Sequence, residues 1–123
     1  SRHSPYGAQK GAAHYPGPYT VPNVWIDTYC VYTNRTPSSA MRGFGVTIAD
    51  FALEVQMDKL ARLIDMDPLE FRFINAYRDG DIKAHRQPTE GAALIECMQE
   101  ASKVANWPVA EKYMAMSSAK REI

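Results

Sequence analysis

The sequence predicts an α+β chain, mostly helical, with an irregular N-terminal arm and one or two N-terminal strands ahead of three or four helices. Three observations carry that prediction. Gly and Pro concentrate before residue 45, a run of β-branched and aromatic residues follows the arm, and helical periodicity fills the remainder. The chain has 123 residues, about the size of one domain. Hydrophobic residues make up 46% and charged residues 23%, which is globular composition rather than that of a disordered tail. The 14 Lys and Arg balance 14 Asp and Glu, so the whole chain offers no basic field for nucleic acid.

Residues 1–22 contain Pro5, Gly7, Gly11, Pro16, Gly17, Pro18 and Pro22, a density of punctuators that argues against a long regular element. Six aromatic residues from Tyr6 to Tyr32 argue against free solvation, so the arm is expected to lie ordered on other protein surface. From Asn23 to Thr33, Val24, Ile26, Thr28, Cys30 and Tyr32 alternate with Trp25, Asp27, Tyr29 and Val31. Both faces are largely apolar, which predicts a strand covered on both sides. Such a strand needs partners, and the chain has few other candidates.

A loop over Asn34–Ser39 follows. Thr47-Ile-Ala-Asp50 reads as a capping box with Asp in the Glu position, and predicts a helix from there to about Asp65. Leu53, Met57, Leu60 and Ile64 form one apolar stripe, with Ile48, Phe51, Ala52 and Val55 beside it. Asp50, Glu54, Asp58 and Arg62 recur every four residues and read as a narrow solvated face, Asp58 pairing with Arg62. Asp67-Pro-Leu-Glu70 starts the next helix, with an acidic N-cap and Pro at the first helical position. Leu69, Phe73, Ile74 and Tyr77 give its buried side, and Asp79-Gly80 its end. Leu94, Cys97, Met98, Ala101, Val104 and Ala105 mark a third helix that Pro108 stops, and residues 109–122 have room for a short last one.

The most informative stretch is Ala40-Met-Arg-Gly-Phe-Gly45, between the strand-like run and a helix start. Gly43 and Gly45 allow backbone conformations denied to other residues, and close approach of a ligand. The helix start adds unpaired N–H groups and partial positive charge. Arg42 adds a planar guanidinium suited to oxyanions, and Phe44 a flat apolar face. As a bare pattern, such a turn is more often purely structural, with Arg42 in a salt bridge and Phe44 in a core.

Val21-Pro-Asn-Val24, Tyr32-Thr-Asn34, Thr36-Pro37 and Ala40-Met-Arg-Gly-Phe-Gly45 stand in that order, followed by Glu54, Leu60-Ala61, Asp67-Pro-Leu-Glu-Phe-Arg72, Asn75, Gly80-Asp81 and Glu96-Cys97. Over roughly residues 15–107 this arrangement resembles the molybdenum-cofactor subunit of the xanthine dehydrogenase/aldehyde oxidase family. The resemblance implies oxidation of an N-heterocycle, purine or nicotinate-like, or of an aldehyde, with water as oxygen source. It implies a molybdenum–pterin cofactor in the full enzyme, with [2Fe–2S] clusters and FAD on other domains or subunits. It further implies cofactor binding by Arg42 and Gly43 and substrate binding by Phe44. No residue of this chain matches the family's catalytic glutamate, which belongs to a later segment, and no metal ligand is expected. An ungapped count places Lys10 near the arginine that purine-oxidising members carry, in a segment too irregular to align.

On this reading, residues 1–123 are one partial domain of a molybdopterin-binding domain: arm, strand and cofactor loop over 1–45, helices over 46–123. Ser1 in place of an initiator Met adds the expectation of a piece cut from a longer polypeptide. The isolated piece is then expected to bind no cofactor and to be inactive. Its partners would be the remainder of the molybdenum subunit, the iron–sulfur and FAD subunits and a small-molecule substrate, with no nucleic acid and no membrane. Two cysteines, Cys30 and Cys97, make neither a disulfide framework nor a zinc site, and a reducing, cytoplasmic setting is expected. His3, His14 and His85 lack metal-ligand spacing and read as solvated or locally hydrogen-bonded. Cys30 and Cys97 read as packed, and Met57 and Met98 as core. Tyr6, Tyr15 and Tyr19 near Lys10 could stack on single-stranded nucleic acid, but packing against protein fits the neutral charge better. Two rival readings stand beside the enzyme: a non-catalytic subunit-docking module, and a generic phosphate- or nucleotide-binding loop domain.

Overall fold

Pro5 presets the first helical turn, where its missing N–H leaves no bond unmade, and Ala8, Gln9, Lys10, Ala12 and Ala13 are good helix formers behind it. In the computed structural model, which describes residues 3–36 and 41–120, the N-terminal arm is therefore helical rather than irregular. Helix α1 spans Ser4–His14, α2 Val46–Leu63, α3 Pro68–Asn75, α4 Leu94–Val104 and α5 Glu111–Met114. Pro37 and Ala40, both counted in the family resemblance, lie outside the described residues.

The predicted strand is not formed. Among the described residues, β structure is limited to two isolated antiparallel bridges, Tyr19 with Ala76 and Ile82 with Pro88. Residues 23–33 are irregular and exposed, with Trp25 at 89% and Tyr29 at 82%. The physical reason is the one that made the prediction demanding: β-branched alternation yields a ladder only where a neighbouring strand takes up its N–H and C=O groups. Cys30 and Cys97 are both free and exposed, so neither is packed as expected.

Helix α2 begins at Val46 with Gly45 as N-cap in the left-handed region, and no side chain caps it, so the expected capping box is not used. It ends at Leu63, and Asp65 takes a left-handed turn at φ 52°. Its inward residues are Ala49, Met57 and Ala61. Two residues of the acidic row, Glu54 and Asp58, expected to face water, are instead engaged by α3. Arg72 of α3 donates from Nε to Glu54 Oε2 at 2.7 Å and from Nη1 to Asp58 Oδ1 at 2.8 Å. It also reaches the carbonyls of Pro68 and Glu54. Asp58 thus pairs with Arg72 rather than Arg62. Tyr19 donates its hydroxyl to the other Glu54 oxygen at 2.8 Å. Burial first, and then Glu54, push the Tyr19 hydroxyl up and keep it protonated.

Helix α3 is capped as predicted: Asp67 Oδ1 accepts the N–H groups of Leu69 and Glu70 at 2.8 and 3.0 Å. It stops at Asn75, earlier than Asp79-Gly80, because the chain at Pro18–Thr20 takes over the bonding: Thr20 N–H donates to Asn75 O and Tyr77 N–H to Pro18 O. The core joins Phe73, Ala76, Ile95, Met98 and Tyr113, and the Phe73 and Tyr113 rings stack at 5.8 Å between centroids. Gln99 Nε2 ties α4 to the end of the chain through the carbonyls of Tyr113, Met114 and Met116. Near the start of α4, Glu96 accepts the Ser118 N–H at 2.8 Å and the Ser117 hydroxyl at 3.2 Å. No helix among the described residues is long and apolar enough to cross a membrane.

Two predictions test this frame. Arg72→Ala strands two half-exposed carboxylates, a case between exposed and buried ion pairs, and should lower unfolding free energy by about 2 kcal/mol in urea titrations. Arg72→Lys should recover less than half of that, because an ammonium lacks the planar fork. Ser118, through its hydroxyl and then its N–H, holds the Glu96 carboxyl down to about 2 from the ordinary 4.5. A depressed native value means that the unfolded chain binds the proton more readily, so the contribution is complete above pH 4.5 and fades between 4.5 and 2. The stability difference between wild type and Glu96→Gln should be flat above pH 5 and shrink across that acid window, as followed by urea unfolding at several pH values.

Candidate functional site

The segment Met41–Gly45 turns the chain into α2 through three successive left-handed residues: Gly43 at φ 95°, Phe44 at 42° and Gly45 at 91°. Glycine adopts this region freely, whereas for phenylalanine it costs roughly 1–3 kcal/mol and persists only where its surroundings dictate it. Two hydrogen bonds hold the turn, from Phe44 N–H to Met41 O at 2.7 Å and from Val46 N–H to Gly43 O at 2.9 Å. The Thr47 side chain closes over Gly43, where a Cβ would come within 2.8 Å of Thr47 Oγ1. Behind Gly45 lies α1: a Cβ on Gly45 would overlap the Gly7 carbonyl oxygen.

The loop presents its side chains differently. Arg42 and Gly43 are exposed, and the Arg42 guanidinium makes no ion pair among the described residues. Phe44 is half-buried and lines an open, largely apolar cavity of about 950 Å³. Gly11 of α1 and Tyr15 just after it, Thr28 and Cys30 of the irregular segment, and Ile48 of α2 also face this cavity. The first turn of α2 carries no acidic residue, so the partial positive charge of its N–H groups is uncompensated on the Arg42 side.

Arg42, Gly43 and Phe44 are therefore brought together, as expected from their adjacency. Lys10 is not brought to them: it is exposed on α1 and does not line the cavity. His14 Nδ1 is hydrogen-bonded to the Lys10 carbonyl at 2.8 Å, the local role predicted for it. Among the described residues, no group of His, Cys, Asp and Glu could hold a metal ion directly. Glu54 and Glu70 are engaged elsewhere, Glu54 in the Arg72 cluster and Glu70 accepting the Ala110 N–H at 3.0 Å. Sequence reasoning missed α1 and its glycines; the four-residue spacing of Gly7 and Gly11 is the signal that could have shown a helix face lying on another backbone.

The sequence model of the molybdopterin cofactor-binding domain family matches residues 1–76. The chain belongs to that family. It is 42% identical over 97 residues to the nicotinate dehydrogenase large molybdopterin subunit of Eubacterium barkeri, covering 78% of this chain and 23% of that protein. It is 36% identical over 104 residues to the aldehyde oxidoreductase of Megalodesulfovibrio gigas, covering 80% and 12%. The crystal structure of the aldehyde oxidoreductase from Desulfovibrio desulfuricans superposes on it with a TM-score of 0.80 at 31% identity, over 86% of this chain and 12% of that one. The chain thus spans less than a quarter of the length of each of these relatives.

The local geometry yields a prediction in two parts. Gly43→Ala meets both a left-handed backbone and the Thr47 side chain, and should cost about 2–3 kcal/mol of stability. Thr47→Ala in the same chain should restore roughly half, since it removes the collision and leaves the dihedral strain; a double-mutant cycle by urea unfolding reads the coupling.

Proposed function

We propose that this chain is part of a cytoplasmic molybdenum hydroxylase or dehydrogenase, to which it contributes the Arg42–Gly45 loop as a cofactor and substrate contact. The substrate class is an N-heterocycle, purine or nicotinate-like, or an aldehyde, with water as the oxygen source. The observation that carries this reading is an exposed Arg42, without an ion pair among the described residues, on a left-handed glycine turn at an uncompensated helix start, in a chain of the molybdopterin-binding family.

These residues fit a molybdenum–pterin group. When bound, that group supplies the redox centre for oxidising the substrate. Arg42 can present its planar fork to pterin or phosphate oxygens, a geometry that favours bidentate contacts. Gly43, exposed in a left-handed turn, brings its backbone to the surface beside Arg42. Phe44 offers a ring against which a flat substrate can lie, worth about 0.5–1.5 kcal/mol beyond area burial. It orients the substrate and exchanges no proton. Glu54, Glu70 and Glu96 are held by Arg72, Ala110 and Ser118, which supports assigning the catalytic base to polypeptide beyond this chain.

The partners follow from the same reading: the remainder of the molybdenum subunit, then iron–sulfur and FAD subunits that carry electrons away. Exposed Trp25, Tyr29, Phe51 and Leu63 are surfaces suited to such contacts. Two free cysteines support a reducing compartment.

The test uses the full enzyme. Arg42→Ala should lower molybdenum content, measured by elemental analysis, or turnover, by tenfold or more, roughly the loss of one charge-assisted contact. Phe44→Ala should lower kcat/KM roughly 2- to 13-fold for flat substrates, and less for a small acyclic aldehyde. If both variants keep wild-type kinetics while subunit assembly fails, the loop serves docking and the enzymatic assignment is wrong.

A further inference from the structure

We propose that Gly11 of α1 is a positioning residue for Phe44: by lacking a side chain it lets α1 lie on Gly45, which sets the angle at which the Phe44 ring is presented. This rests on the reading of Phe44 as the substrate-facing residue.

Phe44 holds a left-handed conformation with a glycine in the same region on each side. On its N-terminal side the turn is internally determined by the Met41 and Gly43 carbonyls and by Thr47. On its C-terminal side the restraint comes from α1, nearly forty residues earlier in the chain. Gly45 is enclosed between the Gly7 carbonyl and the Gly11 N–H, the latter 3.1 Å from where a Gly45 Cβ would stand. Seen from α1, a Cβ on Gly11 would stand 3.2 Å from the Gly45 carbonyl oxygen. That carbonyl accepts the long bond of 3.3 Å from Ala49 N–H that opens α2. A methyl group at Gly11 must therefore push either α1 or the Gly45 carbonyl by a few tenths of an ångström. The glycine dihedrals next to Phe44 are the softest place to take up the movement.

Gly7 supplies the control. Its carbonyl touches Gly45, but a Cβ on Gly7 would meet nothing within 4 Å. Gly7→Ala and Gly11→Ala raise the helix propensity of α1 equally, and only the second meets the loop.

The experiment places each substitution in the full-length enzyme with its subunits. It reads amide hydrogen exchange in peptides covering 43–48 and 68–75, molybdenum content, and kcat and KM for benzaldehyde, nicotinate and acetaldehyde. Gly11→Ala should speed exchange over 43–48 about threefold or more while 68–75 stays unchanged. For whichever flat substrate the enzyme turns over, it should raise KM about three- to tenfold, with kcat and molybdenum content within about twofold of wild type. Gly7→Ala should leave every readout within about twofold. Wild-type exchange and KM in Gly11→Ala, in an enzyme where Phe44→Ala does raise KM, would overturn the positioning role alone. An unchanged KM in both Phe44→Ala and Gly11→Ala would overturn it together with the functional reading it rests on. Equal effects of the two glycine substitutions would also overturn it, since they would trace the change to helix propensity.

Discussion

The Arg72 guanidinium is the constraint on which the arrangement of the first three helices depends. It has five N–H donors in a rigid plane, and every arm of that fork has an acceptor. The acceptors are the Glu54 carboxylate and carbonyl, the Asp58 carboxylate and the Pro68 carbonyl. They lie on two successive turns of α2 and on the first turn of α3. Tyr19 adds the segment behind α1 by donating to the same Glu54. One planar cation thus orders α2, α3 and the Tyr19–Ala76 bridge together. Glu54 and the Gly45 carbonyl are nine residues apart on one rigid helix, about 14 Å, so the cluster also sets where the glycine loop points.

A polar fastening suits this place better than an apolar one. The buried apolar residues of these helices mix small and large side chains, Ala49, Met57 and Ala61 on α2, Phe73 on α3 and Ala76 after it. Apolar burial is non-directional and by itself specifies a register weakly. A bidentate guanidinium is directional, and a slip of one turn toward the C-terminus of α2 would set it against Arg62. Half-exposed carboxylates moderate the desolvation cost that a fully buried pair would incur.

Much of this was legible in the sequence where the signal is local. Asp67-Pro68 capped α3 as written, because an N-cap needs only its own next three residues. The Arg42–Gly45 turn stood out because glycine spacing before a helix is also local. Signals requiring a distant partner failed. Residues 23–33 have strand composition but no ladder among the described residues, and composition cannot supply a neighbour. Pro5, Gly7 and Gly11 read as helix breakers, yet Pro5 starts α1, and Gly11 sits where a Cβ would press on the Gly45 carbonyl. The partner of Arg72 is as distant: Glu54 stands eighteen residues earlier, beyond the reach of any local pattern.

The departures of α2 from its pattern follow from the same distinction, although Met57 of its first stripe is buried. Periodicity reports which residues are apolar, not what they lie against. Ile48, Phe51, Ala52 and Val55 form an apolar stripe in sequence, yet Ile48 and Phe51 are 77% and 73% exposed. Glu54 and Asp58 were read as wet and are instead engaged by α3. A helix with one side fastened by charge and the other left apolar is poorly suited to standing alone in water, since contiguous apolar surface of this kind ordinarily marks a contact. Its two sides make sense as two kinds of joint: a register-setting one to α3, and an area-burying one to further polypeptide, of which the matched relatives have several times more. On that division of labour the charge cluster fixes the loop within the chain, while the apolar face would fix the chain within the larger protein.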